Sequence, residues 1–121
     1  MDAEGRLPQE LARPRSFHYT IYVLDALIRA ARIGEKAGVD LWNYTGPDGQ
    51  SLSRALDFIV PYILGDKKWP YAQIKAESEE SFAPMLLYAA KVYGKETYMR
   101  AAKKLLEHNK AYYLNLLINI N

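Results

Sequence analysis

The chain has 121 residues, of which half are hydrophobic, a quarter are charged and none is cysteine. This length gives room for one domain with one modest core, and the lack of cysteine excludes disulfides and thiol chemistry. The formal net charge of +2 does not favour nucleic acid as a partner, because proteins that bind it concentrate basic residues on one face.

The first seven residues have neither a basic segment nor an apolar stretch. They therefore predict no signal peptide and no membrane helix, and nothing in them explains export. Their composition is typical of a connection between helices. We expect this chain to be one part of a longer protein.

The strongest helical pattern covers residues 16–36, with Ser16 as the expected N-cap and Gly38 as the expected stop signal. Apolar residues recur there every three or four positions, as a helix with one buried face requires. These residues are Phe17, Ile21, Leu24, Leu27, Ile28, Ala31 and Ile33.

The start of this helix carries side chains suited to binding and deprotonating an acidic sugar. If the helix already includes Arg15, then Tyr19 and Tyr22 follow it by four and seven residues, and the three side chains share one helix face. A cation beside a phenol favours the phenolate, and this makes a tyrosine, with its ordinary pKa of about 10, a better base. From the residues alone, an aromatic core position is the favoured interpretation of Tyr22.

Three further helices are predicted downstream. The turn Pro47-Asp48-Gly49 leads to Ser51, which should cap a helix of about a dozen residues that Pro61 kinks or shortens. A third helix fits residues 79–93 and ends at Gly94, and a fourth fits residues 95–109. Residues 112–121 form a short helix or an irregular closing segment.

This order of elements predicts an all-α fold built from antiparallel helical hairpins. A helical solenoid of the tetratricopeptide type is an alternative, although no 34-residue period recurs along the chain. It would make the protein an interaction domain.

Two sequence blocks carry a family resemblance. The first is Glu10-Leu11-x-Arg13 followed by Arg15-x3-Tyr19-x2-Tyr22-x-Leu24. The second is Gly38-Val39-Asp40-Leu41-Trp42-x-Tyr44, followed by Asp48-Gly49-x-Ser51-Leu52 and Ala55-Leu56-Asp57-Phe58. In this order and spacing they resemble the alginate lyase superfamily, whose helical-toroid enzymes cleave uronate polysaccharides by β-elimination.

The resemblance implies a partial α/α toroid, with residues 1–121 forming a single incomplete alginate-lyase-like domain. The implied partner is an anionic polysaccharide, and no metal or other cofactor is implied. The implied location is periplasmic or extracellular. We expect the chain alone to be weakly active or inactive, and to self-associate through exposed helix faces.

The resemblance also implies roles for individual residues. Tyr22 would be the catalytic base or acid, and Arg15 would pair with the substrate carboxylate. Arg13 would serve a neighbouring subsite or pair with Glu10 as a structural tie. Tyr19 would pack or stack on a sugar ring in preference to a catalytic role.

Two further residues are candidate substrate contacts. His18 is one, although the usual histidine of the family falls at the position held here by Thr20. Trp42 is the other, because loop aromatics either stack on sugars or plug the ends of helix pairs.

The better-known members of the family also use an asparagine-histidine pair from an earlier helix. No such pair precedes Arg13, and His108 lies far downstream. The alternative function is therefore a non-catalytic helical module that binds acidic glycans or a protein partner.

Overall fold

The computed structural model describes residues 1–73 and 79–107. Within these residues the chain forms five α-helices, and a 3-10 turn at Glu80–Phe82 precedes the fourth. The helices are α1 (Pro8–Leu11), α2 (Ser16–Lys36), α3 (Leu52–Leu64), α4 (Ala83–Tyr93) and α5 (Glu96–Leu105). This part of the chain contains no β-sheet, so the all-α prediction is confirmed.

Some predictions fall elsewhere in the chain. The expected end of the last helix near residue 109, the closing segment at residues 112–121 and His108 lie outside the described residues. Among the residues that are described, no helix is long and apolar enough to cross a membrane.

The core lies between α2 on one side and α3, α4 and α5 on the other. Helix α2 packs against α3 and α4, and α5 packs against α3 and α4. The face of α2 that carries Ile21, Leu24 and Ile28 is buried, as its periodicity predicts. Leu27 and Ile33 were assigned to the same face and are 37% and 69% exposed, so this part of the prediction is wrong. The opposite face of α2 is exposed to solvent.

The ends of the helices agree with most of the predicted signals. Helix α2 ends just before Gly38, whose φ of 77° is left-handed, and α4 ends at Gly94 with a φ of 65°. The Ser51 Oγ atom accepts a hydrogen bond of 3.1 Å from the backbone N–H of Arg54, which confirms Ser51 as an N-cap. Helix α3 continues beyond Pro61 to Leu64.

The prediction that Ser16 caps α2 is wrong. Ser16 is already helical and Arg15 occupies the N-cap position without a side-chain cap. The Ser16 backbone N–H and hydroxyl both donate to the carbonyl of Ala72, and Trp69 Nε1 donates to Ser16 Oγ at 2.9 Å. The hydroxyl therefore ties the start of α2 to the segment at residues 69–73.

Candidate active site

The segment at residues 69–73 holds the first turn of α2 in place. Arg15 forms an isolated antiparallel bridge with Gln73, and Gln73 Oε1 accepts a 3.0 Å hydrogen bond from the backbone N–H of Phe17. The Trp69 ring packs edge-on against Phe17 at 5.0 Å between centroids. These contacts hold the backbone on both sides of Ser16. The backbone from which the Arg15 side chain extends is therefore fixed.

Tyr19 lies beside two guanidinium groups. The Cζ atom of Arg13 is 3.5 Å from the centre of the Tyr19 ring, and that of Arg15 is 5.5 Å away. Arg13 Nη1 also lies 3.3 Å from Glu10 Oε2, so the predicted structural tie to Glu10 is present. Two positive charges therefore surround one half-buried phenol.

Tyr22 lies one turn further along α2 and is 67% exposed. It is not sealed in the core, so an acid or base role is sterically open to it. Within the described part of the chain, however, no hydrogen bond or cation contact involves the Tyr22 side chain. The Arg15 guanidinium, which was expected beside Tyr22, lies 5.5 Å from the ring centre of Tyr19, and the catalytic role of Tyr22 stays a prediction.

A buried carboxylate completes the group. Glu79 Oε1 lies 3.0 Å from His18 Nδ1, and the Glu79 side chain is only 6% exposed. Burial raises the pKa of the Glu79 carboxyl, while the hydrogen bond with His18 and the charges of His18 and Arg15 act in the opposite direction. The His18 ring in turn contacts Tyr19 edge-on at 5.3 Å.

Comparison with known proteins places these residues in a family. The sequence profile of the family described as alginate lyase matches residues 1–69, which is more than half of the chain. The chain belongs to the alginate lyase family. No curated protein sequence matches it.

The structure of an alginate lyase from Bacteroides ovatus is similar to this chain as well. The TM-score is 0.76 at 33% sequence identity, over 87% of this chain and 28% of that protein. The chain thus spans less than a third of the length of this relative. The family match includes the two arginines and Tyr19, whereas Glu79 lies beyond the matched residues.

Two findings concern the histidine that the family resemblance implies for helix α2. Thr20, at the position that the resemblance gives to a family histidine, is 1% exposed, and its Oγ1 atom has no hydrogen-bond partner among the described residues. A side chain there points into the core and not toward the exposed face. His18 is the histidine that contacts Tyr19.

The ring of Trp42, a predicted substrate contact, is buried and only 4% exposed, which favours the alternative interpretation of this residue. The indole Nε1 donates to Glu35 Oε1 at 2.6 Å, and the ring stacks on Tyr88 with centroids 5.8 Å apart. The Tyr93 hydroxyl donates to the Trp42 carbonyl at 2.6 Å. Trp42 therefore closes the end of a helix pair, as its alternative interpretation proposed.

Sequence reasoning missed Glu79 and Gln73. No periodicity or motif marks either residue, and Glu79 reaches His18 across 61 positions of sequence. In the described residues no cluster of three or more histidine or acidic side chains is arranged to hold a metal ion. The absence of a metal requirement stays a prediction.

Proposed function

We propose that the protein to which this chain belongs is a polysaccharide lyase that cleaves an alginate-like uronate polymer by β-elimination. Membership of the alginate lyase family supports the lyase class. The observation that carries the assignment of the site is the placement of the Arg13 and Arg15 guanidinium groups beside Tyr19, at 3.5 Å and 5.5 Å from its ring centre.

This reaction needs three kinds of group. The C5–H bond of the uronate breaks, the C4–O glycosidic bond breaks, and a C4=C5 double bond forms. The proton from C5 passes to a base, and a proton passes to the departing oxygen at C4. The negative charge that develops on the carboxylate needs cations, which a low-dielectric site makes more effective.

We assign the proton transfers to the Tyr19 phenol in preference to Tyr22. The two guanidinium groups that could bind the substrate carboxylate lie over the Tyr19 ring, which places this phenol next to the bound uronate. Tyr19 is also partly shielded from water, whereas Tyr22 is largely exposed. Tyr22 then becomes a candidate for contact with a neighbouring sugar ring.

Arg15 and Arg13 would bind the substrate carboxylate. A guanidinium group presents two parallel N–H donors to a carboxylate, which fixes the orientation of the uronate as well as its charge. Binding the carboxylate also acidifies the C5 proton next to it. The two arginines therefore serve both the substrate and the phenol.

Glu79 would act through His18. The buried carboxylate fixes the imidazole against the Tyr19 ring, so the polar side of the site is ordered before substrate arrives.

The remaining expectations concern the whole protein. We propose a single partial toroid domain over residues 1–121, an anionic polysaccharide as substrate, and a periplasmic or extracellular location. The chain spans 28% of the Bacteroides ovatus relative, so further catalytic groups would come from the rest of the lyase. The chain alone is then weakly active or inactive, and its self-association stays a prediction.

The test compares Tyr19→Phe with Tyr22→Phe in the complete lyase, using the ultraviolet absorbance of the 4,5-unsaturated product. We expect Tyr19→Phe to lose at least about 100-fold in kcat, while substrate binding stays nearly intact. Tyr22→Phe should keep most of its kcat. The reverse result would assign the proton transfer to Tyr22. If the wild-type protein binds the polysaccharide and forms no unsaturated product, a glycan-binding module would be favoured.

A further inference from the structure

A second group of cations and aromatic rings lies toward the C-terminal end of α2. It borders a cavity of about 310 Å³ whose lining residues are Arg29, Arg32, Ile33, Glu35, Lys36 and Tyr88. Arg32 follows Tyr19 by thirteen residues of helix, which corresponds to about 20 Å at 1.5 Å per residue. The cavity is therefore separate from the candidate active site.

Arg32 and Tyr88 line this cavity, and the buried Trp42 ring supports Tyr88 from behind. The Trp42 and Tyr88 rings are nearly parallel, with an interplanar angle of 22°, and the Arg32 guanidinium lies over the Tyr88 ring at 4.3 Å. Glu35 fixes both rings, because its Oε1 accepts from Trp42 Nε1 at 2.6 Å and its Oε2 accepts from the Tyr88 hydroxyl at 3.0 Å. The Tyr88 side of the cavity is thus ordered without any ligand.

The cavity keeps unneutralised positive charge. Arg29 pairs with Asp25 at 2.5 Å. Among the described residues neither Arg32 nor Lys36 has a carboxylate partner, and the one acid of the lining, Glu35, already serves the two rings. A guanidinium that stacks on an aromatic face still directs its N–H groups outward, in the geometry that a carboxylate accepts.

We propose that this cavity is a second binding site for a uronate unit of an anionic polysaccharide, with Arg32 and Lys36 holding its carboxylate. The choice of a uronate rests on the proposed function, whereas the preference for an anion rests on the cavity itself. Tyr22, Arg29 and Lys36 recur at seven-residue intervals on one side of α2, so one polymer chain can follow the helix between the two sites. Engaging both sites at once strengthens binding beyond either alone.

The two tryptophans of the chain give one local reporter for each site. The Trp42 indole N–H donates to Glu35 in the second site, and the Trp69 indole N–H donates to Ser16 beside the candidate active site. We would titrate the 121-residue chain with an alginate oligosaccharide and follow both indole resonances by ¹H–¹⁵N NMR. An uncharged oligosaccharide of equal length is the ligand control.

We expect the Trp42 indole to shift with the oligouronate and not with the uncharged oligosaccharide. Arg32→Ala should weaken the affinity measured at Trp42 by about tenfold or more, since a charge-assisted pair is lost. Arg32→Lys should also weaken it, because the planar donor pair is lost while the charge stays. Arg100→Ala removes an exposed arginine on α5 and should change the affinity by less than about twofold.

The outcomes separate this site from the proposed function. A Trp42 indole that stays unmoved overturns the second site, whatever Trp69 does. Equal losses in Arg32→Ala and Arg100→Ala also overturn it, because general charge would then explain the binding. A shift of Trp42 alone supports the second site, and the site at Tyr19 is tested separately by the Tyr19→Phe kinetics in the complete protein.

Discussion

Arg13 contacts Glu10 and Tyr19 at the same time, with its Nη1 atom 3.3 Å from the carboxylate and its Cζ atom 3.5 Å from the ring centre. The guanidinium is thus held on one side by an acid and presents its face to the phenol. The ion pair is exposed and contributes little to stability. Its main effect is to orient the cation over Tyr19.

The first prediction separates these two contacts in the complete protein and rests on the proposed lyase activity. Arg13→Ala should lower kcat/KM by about 10-fold to 100-fold, since a charge beside the phenol and the substrate carboxylate is lost. Glu10→Gln removes only the ion pair and should change kcat/KM by less than about threefold. Steady-state kinetics at two ionic strengths would measure both. Equal losses in the two variants would show that Arg13 acts only through Glu10.

The second prediction concerns Glu79 as a positioning residue for His18. Glu79→Ala should lower kcat by about tenfold and leave KM within about threefold, because the imidazole loses its anchor while the arginines keep their substrate contacts. Glu79→Gln retains an acceptor oxygen and should recover part of kcat with an altered pH profile. Glu96→Ala, at an exposed acid of α5, is the control. A Glu79→Gln variant that is less stable but still folded, with the kcat and pH profile of the wild type, would contradict this role.

The third prediction uses two glycines with similar backbone angles. A Cβ atom at Gly5 would lie 2.4 Å from the Arg54 carbonyl oxygen, whereas a Cβ atom at Gly38 would meet nothing within 4 Å. Gly38→Ala should therefore lower the free energy of unfolding by about 1 kcal/mol, the usual cost of left-handed backbone. Gly5→Ala should cost at least about 1 kcal/mol more, because the backbone must also move. Urea denaturation would measure the difference, and equal costs would exclude the close contact.

The fourth prediction is a pH dependence of stability. Burial raises the pKa of Tyr93 to about 12, and the charges of Asp40 and Asp57 act in the same direction. An unfolded tyrosine ionises near pH 10, so above that value the unfolded state releases a proton that the folded state keeps. The free energy of unfolding should therefore fall as the pH rises from about 10 to about 12.

Tyr93→Phe should reduce this slope. It should not abolish it, because burial and the hydrogen bond to Asp57 raise the pKa of Tyr98 as well. Chemical denaturation at pH 9, 10 and 11 would measure the slope, with the exposed Tyr44→Phe as the control. An unchanged slope in Tyr93→Phe would show that its hydroxyl ionises as it does in the unfolded chain.

Local sequence patterns predicted the parts of this fold that depend on neighbouring residues. The buried face of α2, the cap at Ser51 and the stop at Gly94 follow from spacing and backbone preference. The short helix α1 at Pro8–Leu11 was not predicted, since a single turn has too few positions to show a period.

The candidate site was only partly predictable, for a physical reason. The arginines and tyrosines lie within ten residues of one another, so they were expected close together, although Arg13 and Arg15 precede α2 and are not placed by its helical geometry. Which phenol receives the charge depends on side-chain direction, and that is set by packing. Glu79 and Trp42 depend on contacts made across 61 and 51 positions of sequence, which no local pattern contains.

The hydrogen bond from Ser16 to Ala72 spans 56 positions and has a consequence for the order of folding. Closing a loop of that length costs entropy before any contact is gained. We therefore expect the hydrogen bond between Ser16 and Ala72 to form later than the turns of α2 itself. A chain in which α2 has formed but residues 69–73 have not docked would have a helix with an unanchored Arg15. We expect the amide of Ser16 to exchange with deuterium sooner than that of Leu24, which would make the N-terminal end of α2, next to the candidate site, the first part of the helix to open.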